Sequence, residues 1–97
     1  MVIDVKRKEL EKLLDDGAVL VDVREDQDAT QYRPIPGGRH IPLSKLGESI
    51  TTLPKNSKKV FYCRSGLLSY QAAEIISSKT DQETYYIEGG LIGYYGT

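Results

Sequence analysis

Lys59-Val60-Phe61-Tyr62-Cys63-Arg64-Ser65-Gly66-Leu67-Leu68-Ser69 changes its periodicity half-way along. Residues 58–62 form an apolar, aromatic run that predicts a buried strand. Arg64, Ser65 and Gly66 then make a turn, and from Leu67 to Ser78 the apolar residues Leu68, Ala72, Ile75 and Ile76 fall at helical spacing. A strand that passes through a short loop into a helix leaves Cys63 where backbone N–H groups converge and where the helix dipole favours negative charge. A lone cysteine after an apolar strand is ordinarily a packed core thiol. The turn after Cys63 argues otherwise. A helix N-terminus beside a guanidinium, here Arg64, lowers a thiol from its ordinary value of about 8.5. Ser65 and Gly66 are small and Gly66 can take positive φ, so the N–H groups from about Ser65 to Ser69 can turn inward on one anion.

Working outward, Val2-Ile3 reads as a short strand. Leu10, Leu13 and Leu14 among Lys and Glu predict an amphipathic helix over about Lys6 to Asp16, stopped by Gly17. Val19 to Val23 is a β-branched run suited to a central strand, with Asp22 and Arg24 at its carboxyl end. Asp26 to Tyr32 predicts a short helix capped by Asp26 and ended by Pro34 and the turn Pro36-Gly37-Gly38. A very short strand follows near His40-Ile41. After Pro42 comes a weak helix capped by Ser44 and running to about Thr51, with Gly47 inside it. Thr84 to Ile87 is the last strand, and the residues after Glu88-Gly89-Gly90 start a terminal helix that Gly93 and Gly96 weaken. Strands alternating with helices at this spacing predict an α/β fold with parallel strands and crossover connections, whose ligand sites lie at the carboxyl ends of strands. Cys63 stands at such an end.

The 97 residues suit one domain, read as 1–97, with a core of its own. A net charge of −1, with both signs mixed along the chain, gives no nucleic-acid footprint and no basic membrane patch. No run approaches the roughly 20 apolar residues of a membrane span, so the cytoplasm is the expected compartment. One cysteine and one histidine fall short of a structural zinc site, and no metal is expected.

Three segments in this order, Leu20-Val21-Asp22-Val23-Arg24-Glu25, then Ile35-Pro36-Gly37-Gly38 leading to Ile41-Pro42-Leu43, then Tyr62-Cys63-Arg64-Ser65-Gly66 with Ser69, are joined by Glu88-Gly89-Gly90. Together they resemble a single-domain rhodanese, nearly end to end. The resemblance implies a three-layer α/β fold: a central, mostly parallel sheet of about five short strands with helices on both faces. It also implies sulfur transfer by a ping-pong route. The Cys63 thiolate takes a sulfane sulfur from a small-molecule donor, becomes a persulfide, and passes the sulfur to a thiol or cyanide-like acceptor; either partner can also be a protein. Arg64, Ser65, Gly66, Leu67, Leu68 and Ser69 would bind the substrate, and no cofactor is required.

One departure matters. Active relatives often carry an arginine just before the final serine of the loop, where it clamps the anionic end of thiosulfate; this chain has Leu68. Leucine cannot supply charge-assisted hydrogen bonds, which makes thiosulfate a doubtful donor and favours a polysulfide or a protein persulfide. Two other readings stay open. A rhodanese-like domain can be an inactive protein-binding module. A phosphatase on the same fold needs an arginine where Ser69 stands, and it lacks its main charge stabiliser here. Asp22 and Arg24 are expected to brace neighbouring loops rather than steer substrate. His40 is expected to pack or to face solvent rather than act as a base. Tyr85-Tyr86 and Tyr94-Tyr95 are read as packing residues, and Lys6-Arg7-Lys8 and Lys58-Lys59 as solvated charge runs.

Overall fold

The computed structural model describes residues 1–96, with the side chains of all of these except Asp28 and Thr30. Five strands, β1 (Val2–Val5), β2 (Val19–Asp22), β3 (Arg39–His40), β4 (Lys59–Tyr62) and β5 (Thr84–Ile87), make one sheet in the order β1-β5-β4-β2-β3. Every pairing is parallel. The helices are α1 (Arg7–Asp15), α2 (Asp26–Gln31), α3 (Leu46–Ser49), α4 (Leu67–Lys79) and α5 (Gly90–Tyr95).

The strand alternation divides the core in two. Val21, Phe61 and Cys63 pack on one face with Leu46 of α3 and with Ala72, Ala73 and Ile76 of α4. Leu20, Val60 and Tyr62 pack on the other with Leu10 of α1 and Leu91 of α5. Period-2 strands between period-3.6 helices thus give the three expected layers. Burial of each such aliphatic side chain stabilises the fold by roughly 1.5–3 kcal/mol before entropy is counted. No helix among the described residues is long and apolar enough to cross a membrane.

Several local expectations need correction. α2 begins at Asp26 itself with Glu25 as its N-cap residue, so Asp26 is not the cap. Ser44 caps nothing: its N–H and hydroxyl both donate to the Glu25 carboxylate, each at 3.2 Å, tying this segment to the end of β2. The weak helix is three pieces, a 3-10 turn at Leu43–Lys45, α3, and a second 3-10 turn at Ile50–Thr52. β3 lies one residue earlier than expected, and the chain beyond it stays alongside β2 because Ile41 N–H donates to Asp22 O at 2.9 Å.

Lys59 is not part of a solvated charge run. It is 5% exposed, and its ammonium donates to Pro54 O at 2.9 Å and Ser57 O at 3.0 Å, clamping the loop that enters β4. Burial pushes its pKa down from the ordinary lysine value.

Candidate active site

β4 ends at Tyr62, and Cys63 is the next residue, 1% exposed and packed against Val23, Ile41 and Ala72 at the carboxyl edge of the sheet. The loop then turns back over the sulfur. Gly66 has φ +101°, a conformation that side chains other than glycine's rarely adopt, and it forms the N-cap of α4. This turn aims the Gly66 N–H at Cys63 Sγ, 3.1 Å away, and the first turn of α4 adds the Ser69 N–H at 3.4 Å. The thiol donates to Ser69 Oγ at 3.5 Å, and that hydroxyl donates to Gly66 O at 3.1 Å. A hydroxyl rotates, so Ser69 can accept from a thiol or donate to a thiolate. Two backbone amides, one hydroxyl and the end of a 13-residue helix therefore surround one sulfur.

The other loop residues divide between this inner shell and an outer rim. Ser69 is fully buried, Leu68 is half-buried against the core cluster that contains Cys63, and Leu67 is 66% exposed. Arg64 and Ser65 are exposed. The Arg64 guanidinium lies over the Tyr32 ring, 4.3 Å from its centre, so it engages an aromatic face.

The end of β2 braces the site from the neighbouring strand. Arg24, only 1% exposed, donates from Nε to both oxygens of Asp22 at 3.0 and 3.1 Å and from Nη2 to Oδ2 at 2.8 Å. Tyr62 donates its hydroxyl to the same Oδ2 at 3.2 Å and accepts from Ile35 N–H at 3.2 Å. Burial, followed by the Asp22 charge, pushes the Tyr62 phenol up to about 12. Arg24 Nη1 also donates to Tyr32 O at 3.1 Å. His40 Nε2 lies 2.7 Å from Arg24 O, which can only accept, so His40 donates there and helps fix the backbone.

Sequence reasoning missed what lies beneath the loop. Leu91 N–H donates to Cys63 O at 2.9 Å, and Ile92 N–H to Arg64 O at 3.2 Å, so the first turn of α5 holds the peptide units that carry the thiol. This requires a residue without a side chain at position 90. A Cβ on Gly90 would stand 2.4 Å from Cys63 O and 2.6 Å from Arg64 O, and the residue has φ +57°. The sequence signal was Glu88-Gly89-Gly90, which marks the place without revealing the contact. Gly90→Ala is expected to lower stability by about 2 kcal/mol or more, because rigid backbone must move. Urea denaturation of both proteins checks this; an unchanged midpoint would show that the loop is not held from below.

Comparison with protein families matches the rhodanese-like domain over residues 6–97. The chain belongs to the rhodanese-like family. This rhodanese-like domain is 33% identical over 82 residues to a putative sulfurtransferase of Bacillus subtilis, YtwF, covering 84% of this chain and 78% of that protein. It is 29% identical over 96 residues to a sulfurtransferase of Allochromatium vinosum, covering 97% of this chain and 89% of the other. Among solved structures, a rhodanese homolog from the extremely thermophilic bacterium Thermus thermophilus superposes with a TM-score of 0.75 at 32% identity, covering 93% of this rhodanese-like domain and 98% of that chain. The fold and the sulfurtransferase-type family agree with what the resemblance implied. The sulfur donor and acceptor are not given by these matches.

Proposed function

We propose that this rhodanese-like domain is a sulfurtransferase that carries sulfane sulfur on Cys63. The observation that carries this reading is the convergence of Gly66 N–H, Ser69 N–H and Ser69 Oγ on a single sulfur at the mouth of a helix. The Cys63 thiolate attacks the terminal sulfur of a donor R–S–S⁻. A Cys63–S bond forms, the donor S–S bond breaks, and its electron pair leaves with R–S⁻. An acceptor thiolate then attacks the outer sulfur of the Cys63 persulfide, and Cys63 departs as thiolate. The two steps balance without an external oxidant or reductant, and they divide one transfer into two easier displacements. The preorganised N–H groups stabilise negative sulfur at each stage.

Leu68 selects among donors. In thiosulfate, three charged oxygens sit on the atom directly bonded to the transferred sulfur, and they would meet the apolar Leu67 and Leu68 carbons. In an organic persulfide or a polysulfide, a single sulfur occupies that place and an uncharged sulfur or methylene follows it. The expected ranking is polysulfide or organic persulfide above thiosulfate, and Leu68→Arg should raise thiosulfate turnover by about tenfold or more by restoring a bidentate clamp. Steady-state rates with both donors test this, and a clear wild-type preference for thiosulfate would sink it.

Intact-mass spectrometry after brief exposure to polysulfide tests the main reading. The protein should gain the mass of one sulfur atom, lose it to an added thiol, and gain nothing when Cys63 has been alkylated. A protein-binding module is the second reading, favoured by the near-complete burial of Cys63; no sulfur uptake from any donor would select it. Phosphoryl transfer has no support at Ser69, whose side chain is uncharged and already bonded to Gly66 O.

A further inference from the structure

Beside the cysteine loop lies a cleft of about 560 Å³ lined by Tyr32, Arg33, Arg64, Leu91, Ile92 and Tyr95. Its two cations are held in a particular way. Arg64 lies over Tyr32 at 4.3 Å and Arg33 over Tyr95 at 4.9 Å, and among the described residues neither guanidinium is paired with a carboxylate. A ring face attracts a guanidinium but leaves its in-plane N–H donors free. The supporting residues are tied down in turn: the Tyr32 backbone carbonyl accepts from buried Arg24, and the Tyr95 ring hydroxyl donates to Pro34 O at 2.9 Å. Two like charges in one preformed cleft, with their donors unspent, make a site that an anion completes. Leu91, 5% exposed, and Ile92, 46% exposed, give this cationic cleft an apolar side.

The cleft also touches the reactive centre through the backbone. Arg64 follows Cys63 directly, and Leu91 N–H donates to Cys63 O. With Leu68 in place of a cation next to the sulfur, the two guanidiniums of this adjoining cleft offer matched partners to negative charge on a substrate.

We propose that the cleft binds the carboxylate end of an organic sulfur compound, a low-molecular-weight thiol or persulfide whose aliphatic body lies on Leu91 and Ile92 and whose sulfur reaches Cys63. This rests on the sulfur-transfer reading above and names the substrate class for it. Arg33 and Arg64 grip the carboxylate from positions away from the sulfur, which sets specificity while leaving the apolar surroundings of the thiol undisturbed. The volume is of the size that small-molecule sites have.

The test uses Cys63→Ser protein titrated with S-methylglutathione, a carboxylated probe whose blocked sulfur cannot react. Saturable binding by calorimetry is expected, weakened about tenfold or more by the exposed-site change Arg33→Gln and by esterifying both carboxylates of the probe, and weakened also by added salt. Equal affinity for probe and diester, or an affinity unmoved by Arg33→Gln, overturns the site. The readout needs no sulfur transfer, so the two readings fail separately. Absent probe binding, in a protein whose Cys63 takes up sulfur from polysulfide, overturns the cleft alone. Arg33-dependent binding without any persulfide overturns the sulfur role and leaves a carboxylate site.

Discussion

Cys63→Ser is expected to lower sulfur transfer by at least about a thousandfold while keeping the fold. A serine hydroxyl at neutral pH is a poor nucleophile without an adjacent base, and among the described residues none is poised at the loop: His40 is engaged with Arg24 O, and Ser69 offers only another hydroxyl. The stability cost should be small, about 1 kcal/mol, because the new hydroxyl finds the partners the sulfur had, Gly66 N–H, Ser69 N–H and Ser69 Oγ. Transfer rates and melting temperatures measured together check both halves. A variant that keeps more than a few per cent of the rate would mean that sulfur does not pass through Cys63.

Asp22→Ala is expected to be the most damaging change for stability. It strips a guanidinium that is 1% exposed of the carboxylate that meets its Nε and Nη2, and it removes the acceptor of the Tyr62 hydroxyl. Breaking one side of a buried pair costs about 3–5 kcal/mol, which for a domain of this size lowers Tm by roughly 15 °C or more. Replacing both partners by apolar residues, Asp22→Leu with Arg24→Met, should cost less than the single change, since the buried guanidinium is removed together with its carboxylate. Thermal unfolding of the three proteins decides the matter. If Asp22→Ala melts within a few degrees of wild type, the pair is not the brace of the β2 edge.

What the sequence made legible was what repeats or what is chemically loud. Leu10, Leu13 and Leu14 announced α1, and the step from Val60-Phe61-Tyr62 to Arg64-Ser65-Gly66 announced both the parallel strand and the place of the thiol. Contacts made by backbone left no such trace. The grip of Leu91 and Ile92 on the carbonyls of Cys63 and Arg64 joins distant segments through atoms every residue possesses, and only the bare Gly90 hints at it. Lys59 misled because a long stem lets its ammonium reach Pro54 O and Ser57 O from a buried position, whereas composition treats every lysine as a surface charge. The pairing of Arg33 with Tyr95 and of Arg64 with Tyr32 was equally out of reach, since it depends on where the residues after α2 run.

The strand order carries one more implication, for synthesis. Among the described residues β1 pairs in the sheet with β5 alone, and the peptide units of Cys63 and Arg64 are held by α5. On a ribosome, the first strand therefore waits unpaired until residues 84–87 have emerged, and the thiol's cradle lacks its underside until residues 91 and 92 follow. Such non-local pairing is slow to close and exposes strand edges meanwhile. Until those segments emerge, the nascent domain holds a half-made sheet, and the loop around Cys63 lacks its support from α5.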